Sequence, residues 1–439
     1  MNLMANRVDT SYPPLQRAAY VIGVLWLVTL FSQLDRQLPA LLVRPIRAEF
    51  AISDTQFSLL QGYAFAIFYT VMGLPFGRMV DRYNRQRLII FGIALWSGMT
   101  VLAGFAQSYG QLLMTRMGVG IGEAVLAPAA YSIIADYVAP ARRGRALGIY
   151  YVSLAIGSGA SLLLGGLIFR WVPEQGIVLP MLGHLAPWQL MFVLAGAPGL
   201  LLILLTLTVR EPQRHELAGG ADSSIADVLR FLRIHAATFA RLLTYPAVLA
   251  IIGYGVLAWA PAFFERTHGM PPSQSGPMLG VLVAVAGLTG TLCSGFLSDP
   301  WTAAGHPAAR FRVTLIAWAL IIPCAIAWPL MPTAALALAV LAAAIFGISL
   351  GQAAAPPSIQ EVVPNHMRGQ VIAIYLLLGG LLGIGLGPTA VALATDYLYA
   401  DDQALGLALI TVSAPAALLG LWLSWSGQRP YARTRAALR

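Results

Sequence analysis

The sequence predicts an all-α integral membrane protein, with twelve transmembrane helices in two pseudo-symmetric six-helix bundles. Three observations carry this expectation: an apolar composition, apolar runs of membrane-spanning length along the whole chain, and a repeat relating its two halves. Of 439 residues, 58% are hydrophobic and 10% charged, against about 45–50% and about 25% in soluble domains. That balance excludes an ordinary soluble enzyme, a disordered chain and a secreted disulfide scaffold. Cys293 and Cys324 both fall inside apolar runs, at a separation that matches no metal or redox spacing. The six histidines lie outside those runs, so buried chemistry does not rest on imidazole, and neither a metal nor a cofactor is expected.

A spanning helix needs roughly 20 predominantly apolar residues. Such runs occur near 18–43, 56–79, 87–107, 111–135, 145–169, 188–209, 243–264, 274–298, 312–330, 333–357, 369–395 and 403–426. The first is too long for a signal-peptide core and lacks a small-residue cleavage pattern, so it is expected to remain as the first helix. The +9 formal charge comes from 27 basic residues, all arginine, set in short clusters between the runs and not on one patch; nucleic acid is not expected as a partner. With both termini inside, 21 arginines fall in cytoplasmic segments and four (Arg44, Arg47, Arg170 and Arg266) in outer ones, while Arg36 and Arg116 lie within spans. This is the charge bias of membrane topology. Arginine without lysine, beside many alanines, points to a GC-rich bacterium and hence to the inner membrane.

The longest polar stretch, Arg210 to Arg241, divides the chain into a first bundle over 1–210, a cytoplasmic linker over 211–242 and a second bundle with a basic tail over 243–439. In the linker Ile225, Val228, Leu229, Leu232, Ala236 and Phe239 recur at helical spacing opposite Asp227, Arg230, Arg233 and Arg241. An interfacial amphipathic helix with Ser224 and Asp227 as a capping box follows; the alternative is a mobile linker. The halves repeat: Gly77 to Asp81 matches Gly295 to Asp299, and Asp136, Arg143, Gly144 and Tyr150 match Glu361, Arg368, Gly369 and Tyr375 at one constant offset. Duplicated six-helix units are built to rock around a central site.

Gly77-Arg78-Met79-Val80-Asp81-Arg82-Tyr83-Asn84-Arg85-Gln86-Arg87 resembles the loop signature of the major facilitator superfamily, in its usual place between the second and third spans. Arg116-Met117-Gly118-Val119-Gly120-Ile121-Gly122-Glu123-Ala124 resembles the fourth-helix motif of that family, with Val119 for the usual glutamine and Glu123 for a small residue. Asp35-Arg36, taken with Arg116 and Glu123, is similar to the spinster branch, which is linked to lysophospholipids and sphingosine-1-phosphate. Gly148, Gly157, Gly165 and Gly166 follow the antiporter-motif spacing of the fifth helix, but Ser161-Leu162 stands where Gly-Pro is usual. The second copy of the loop motif keeps Asp299 and replaces the basic run with Pro300-Trp301.

A charge at mid-bilayer costs roughly 2.5 kcal/mol or more, so Asp35, Arg36, Arg116 and Glu123 are functional candidates. At 1.5 Å per residue Asp35 sits roughly 25 Å up the first helix, near the level of Arg116, and Glu123 lies about 10 Å deeper on the Arg116 face. Arg116 is therefore expected to be shared between the two carboxylates, or between them and an anionic head group. A carboxylate that loses its arginine partner in a low-dielectric cavity takes up a proton, and regaining the partner expels it. Asp35 and Glu123 are thus expected to carry the proton, with Arg116 and Arg36 contacting substrate. Two alternatives stand beside this: an ion-pair network that only fixes helix packing, and an Arg36 that reaches the outer interface.

The spans of the second half carry charge only near their ends, at Glu265, Asp299, Glu361 and Asp396. Its wall of a shared cavity is expected to offer Tyr254, Trp259 and Gln352, which suits an amphiphile with an anionic head. At the cytoplasmic ends Gly77, Asp81, Arg82, Arg85, Asp136, Arg142 and Arg143 are expected to form a gate, whose pairs the resemblance implies to stabilise the outward-open state. Pro356-Pro357 and Pro261 are expected to break or kink the tenth and seventh helices. The expected function is proton-coupled secondary transport of a lysophospholipid-like or sphingoid-phosphate-like lipid by alternating access, by a monomer. The alternatives are an antiporter for another organic anion or drug, and a lipid-modifying membrane enzyme using Asp35 and Glu123 as acid and base.

Overall fold

Helices form where the apolar runs lie and stop where polar caps replace them. The computed structural model describes residues 12–180, 183–214 and 224–438; Arg7, His215 and Arg439 lie outside the described residues. Among the described residues, twelve helices are long and apolar enough to cross a membrane: helix 1 Leu15–Leu41, helix 2 Asp54–Arg82, helix 3 Arg85–Ala103, helix 4 Tyr109–Tyr137, helix 5 Arg142–Trp171, helix 6 Pro187–Leu207, helix 7 Ala236–His268, helix 8 Pro272–Ala303, helix 9 Ala309–Leu330, helix 10 Ala334–Val362, helix 11 Asn365–Tyr399 and helix 12 Asp402–Ala437. Each falls on an expected span, and several outrun it. Helix 7 begins seven residues before the apolar run, and helix 12 continues through the basic tail. The all-α expectation meets one exception among the described residues, an antiparallel hairpin of β1 (Ile177–Leu179) and β2 (Gly183–Leu185) between helices 5 and 6.

Side-chain caps fix the helix starts. Ser53 and Gln56 form a capping box at helix 2, and Asn84, Ser108 and Thr333 accept backbone N–H groups at the starts of helices 3, 4 and 10, satisfying donors that the first turn leaves open. With an even number of spans, the start of helix 1 and the end of helix 12 lie on one face, here called the terminal face; the other is the far face.

Two helices are interrupted beside the cavity. Helix 4 breaks at Ala124 and Val125, directly after Glu123, and helix 10 breaks at Ala354, two residues after Gln352. Pro128, Pro356 and Pro357 explain both, since a proline supplies no N–H to the carbonyl four residues back. Pro261, by contrast, stands inside a helix that runs unbroken from Ala236 to His268.

Glycines set how closely the bundles meet. At the helix 5–helix 8 seam, a Cβ on Gly159 would lie 2.5 Å from the Gly280 carbonyl; at the helix 2–helix 11 seam, one on Gly62 would lie 2.7 Å from the Ile384 carbonyl. Helices 2 and 11 each carry a π-helical stretch there, Leu59–Tyr63 and Gly379–Leu386. Toward the terminal face Gly77, Gly144, Gly148 and Gly369 meet nothing within 4 Å. The bundles therefore touch through the far half and diverge toward the terminal face.

Inside the first bundle, a Cβ on Gly120 would lie 2.6 Å from the Phe65 carbonyl, so helix 2 presses directly on helix 4. Gly120→Ala is expected to lose about 1–3 kcal/mol by overpacking, read as a lower thermal-unfolding midpoint in detergent, with Gly148→Ala unchanged as the control.

The linker holds a short helix, Ile225–Ile234, with the expected capping box: Ser224 Oγ accepts from the Asp227 N–H at 3.1 Å and Asp227 Oδ2 accepts from the Ser224 N–H at 3.2 Å, and from the Ser224 hydroxyl at 2.6 Å. Those hydrogen bonds hold the Asp227 carboxyl below the usual carboxylate range. The helix ends at His235, so Ala236 and Phe239 belong to helix 7. Val228 is buried while Ile225, Leu229 and Ile234 are exposed.

Candidate transport cavity

Between the bundles lies a cavity of about 270 Å³, lined from the first bundle by Ser32, Gln33, Arg36, Tyr69, Glu123, Tyr131, Tyr150 and Ser158, and from the second by Ala250, Tyr254, Gln352, Tyr375 and Ile384. A second cavity of about 290 Å³ runs between helices 5, 7, 8 and 10 and is lined mostly by Leu249, Leu257, Val283, Ile345 and Ile348. Ser158, Ala250, Tyr254 and Gln352 line both. One space is charged and phenolic; its neighbour is apolar.

The buried charges meet differently from the expected arrangement. Glu123 pairs with Arg36, Nη2 to Oε2 at 2.6 Å, and not with Arg116. Arg116 turns its Nη1 to the backbone carbonyl of Asp35 at 3.2 Å. Arg36 reaches neither the outer interface nor open lipid: the Cα–Cβ bonds of a helix tilt toward its N-terminus, which on helix 1 is the direction of Glu123. Its guanidinium carbon lies 4.5 Å from the Phe65 ring centroid and 5.0 Å from that of Tyr69. Asp35 and Arg116 are buried and do not line the cavity.

Tyr254 and Gln352 line both cavities, whereas Trp259 lines neither. Five residues beyond Tyr254 it has turned away, and its Nε1 donates to the Pro388 carbonyl at 2.9 Å in a fully buried position. Sequence reasoning missed Tyr69, Tyr131 and the seating of Arg36. A signal existed in the i, i+4 spacing of Phe65 and Tyr69; Tyr150 and Tyr375, matched by the repeat, both line the cavity, one from each bundle.

On the terminal face, Arg85 pairs with Asp136 at 2.5 Å and with Glu211 at 2.6 Å, and Arg310 pairs with Glu361 at 2.7 Å, at the same offset that relates Asp136 to Glu361. Among the described residues, these pairs join Arg85 of helix 3 to Asp136 of helix 4 and to Glu211 just after helix 6, and Arg310 of helix 9 to Glu361 of helix 10. Arg143 donates to the Ala135 carbonyl at 2.9 Å, the Asp81 carbonyl accepts from Arg214, and Arg82 and Arg142 are exposed, with Gly77 in open space.

The far face is where charges cross between bundles. Arg266 of helix 7 donates to both oxygens of Asp54 on helix 2 at 2.6 and 2.7 Å. Arg47 joins Asp54 at 2.9 Å and Asp402 of helix 12 at 2.8 Å, Arg44 joins Glu265 at 3.2 Å, and Arg170 donates to the Ser273 carbonyl at 2.9 Å. All four arginines of the arginine-poor face are thus tied to the opposite bundle.

Twelve helices in two bundles, broken helices at a central polar cavity and charges that zip one face define a polytopic transporter. The family profile described as Major Facilitator Superfamily matches residues 25–388. A curated relative named "MFS-type efflux pump" from Mycolicibacterium smegmatis is 31% identical over 437 residues, covering 95% of this chain and 94% of its own. "Protein spinster homolog 1" of Homo sapiens is 30% identical over 301 residues, which are 62% of this chain and 53% of that protein. A solved bacterial homologue of the human lysosomal transporter Spinster, inward-facing and unoccupied, superposes with a TM-score of 0.79 at 27% identity over 97% of this chain and 98% of that one. The chain belongs to the major facilitator superfamily, is similar to proteins of its spinster branch, and is a secondary transporter.

Proposed function

We propose that this transporter moves a single-chain lipid with an anionic head, of the lysophospholipid or sphingoid-phosphate kind, in exchange with or alongside protons. The observation that carries the reading is the union of the two cavities: Arg36 and the phenols offer a place for a charged head, and the apolar arm that shares Tyr254 and Gln352 with them offers one for an alkyl chain. Glu123 carries the proton at the cavity wall, because its partner Arg36 is also the cation that an anionic head would engage. Asp35, behind the wall, is the second carrier through Arg116. The arginine-rich terminal face is cytoplasmic by the positive-inside bias, in a bacterial inner membrane, so this conformation is inward-open.

The test is uptake of labelled lysophosphatidate, and separately of sphingosine-1-phosphate, into reconstituted liposomes with and without a pH gradient. Gradient-dependent movement of either is expected. Gly287 faces the apolar arm, where an added Cβ meets only Ser349 Oγ at 3.6 Å; Gly287→Leu is expected to slow a long-chain lipid roughly tenfold more than a short-chain one, since each buried methylene is worth about 0.8 kcal/mol. Equal slowing of both would show that the arm holds no chain. The near full-length likeness to an efflux pump supports a second reading, export of another organic anion or drug; absence of lipid movement by folded protein would favour it.

A further inference from the structure

We propose that Phe65 and Tyr69 are positioning residues: an aromatic seat on helix 2 that keeps the Arg36 guanidinium facing the cavity whether or not Glu123 is ionised. The inference rests on the proposed head-group role of Arg36. A guanidinium has five N–H donors, yet the pair with Glu123 uses one of them; Arg36 Nε and Glu123 Oε1 are buried with no hydrogen-bond partner. Beside that pair, the guanidinium lies against two aromatic rings. They lie nearly parallel, one helical turn apart, with centroids 5.3 Å apart and 19° between planes, and the guanidinium carbon lies within 5.0 Å of both centroids.

The seat is itself fixed. Phe65 is fully buried, and its backbone lies against Gly120 of helix 4, the helix that carries Glu123. Cation–π attraction survives protonation of the carboxylate, whereas the charge-assisted hydrogen bond does not. A long arginine freed from both would extend toward water, leaving the cavity without its cation at the step when an anionic head must be bound. The rings remove that route.

The test uses the full chain in nanodiscs, with Tyr69→Leu to remove a ring and Tyr69→Phe to keep it; Tyr69 borders the cavity, so either change is accommodated more readily than one at Phe65. Binding of lauroyl lysophosphatidate is expected to weaken about fivefold in Tyr69→Leu, within the range of desolvated cation–π contacts, while binding of uncharged monolaurin is unchanged and Tyr69→Phe matches the parent. In arginine-labelled protein, the side-chain Nε–H resonance of Arg36, assigned with Arg36→Lys, is expected to be ring-shifted in the parent and in Tyr69→Phe and to lose that shift in Tyr69→Leu. Equal loss in Tyr69→Phe, or an Arg36 resonance that ignores Tyr69→Leu, overturns the seat. If neither lipid binds the parent, the lipid reading fails and the resonance alone decides the seat.

Discussion

Glu123→Gln is expected to abolish the response of lipid movement to an imposed pH gradient while leaving pH-independent exchange across the liposome membrane. Arg36 and Glu123 are a one-to-one pair at 2.6 Å whose carboxylate side chain is fully buried, so an anionic head can take Arg36 only as the carboxylate is neutralised. Glutamine fixes the neutral state. Binding then no longer requires a proton, and a gradient has nothing to act on. Accumulation that still follows the gradient in Glu123→Gln would remove Glu123 from the coupling step and leave Asp35 as the carrier.

The same substitution carries a stability cost that must be separated from function. Asp35, Arg36, Arg116 and Glu123 sum to zero charge, and deleting one partner of a buried pair costs about 3–5 kcal/mol because the other is left uncompensated. Arg36 opens onto the cavity, so the lower end applies. Arg36→Gln combined with Glu123→Gln is expected to regain most of that loss, as contacting residues couple in a double-mutant cycle, while losing preference for anionic over uncharged lipids. Fold and coupling are thereby read independently.

Why the spans were legible and the charge pairing was not has a physical basis. Membrane helices must satisfy their backbone internally, so length and hydropathy located all twelve, and the repeat through Asp136 and Glu361 exposed the two bundles. Pairing depends on side-chain direction and on which helices press together. Rise per residue put Arg116 and Asp35 at one level, correctly, but gave no reason for Arg36 to fold back onto helix 2, which follows from Gly120 admitting Phe65. Trp259 shows the same limit: five residues from Tyr254 it faces another helix. On the terminal face the arginines that mark topology were also read as a gate, and Arg85 and Asp136 do meet, inside one bundle. The cross-bundle charges sit on the other face, where Arg44, Arg47, Arg170 and Arg266 stand against the positive-inside bias. An arginine that topology disfavours needs another reason to be there, and here each has a partner in the opposite bundle.

Breaking the Asp54–Arg266 pair is expected to shift the resting equilibrium toward the outward-open state. Asp54 is fully buried, accepts two hydrogen bonds from Arg266 and is ion-paired with Arg47, which also holds Asp402. Asp396 and Asp402 lie close enough to Asp54 to share a cation, but arginines and the Thr55 N–H, 2.6 Å from Asp396 Oδ2, engage those oxygens. These contacts bridge helix 2 and the segment before it to helices 7, 11 and 12, and separation of the bundles on this face must break them. Because the arginines are partly hydrated, the loss for Arg266→Gln is expected near the low end for a broken buried pair, about 3 kcal/mol, which is roughly a hundredfold in the balance of states. Spin labels at Gln175 and Pro332 on the far face, and at Arg78 and Ala304 on the terminal face, would report it in a background with Cys293 and Cys324 replaced. The far-face distance is expected to gain a longer population as the terminal-face distance gains a shorter one. Distances unchanged on both faces would mean that the glycine seams of helices 2, 5, 8 and 11, and not the ion pairs, hold this face closed. Asp54→Asn combined with Arg266→Gln discriminates further: a latch made by the pair predicts the same outward shift as Arg266→Gln alone, whereas simple repulsion from an uncompensated Asp54 predicts recovery of the parent distances.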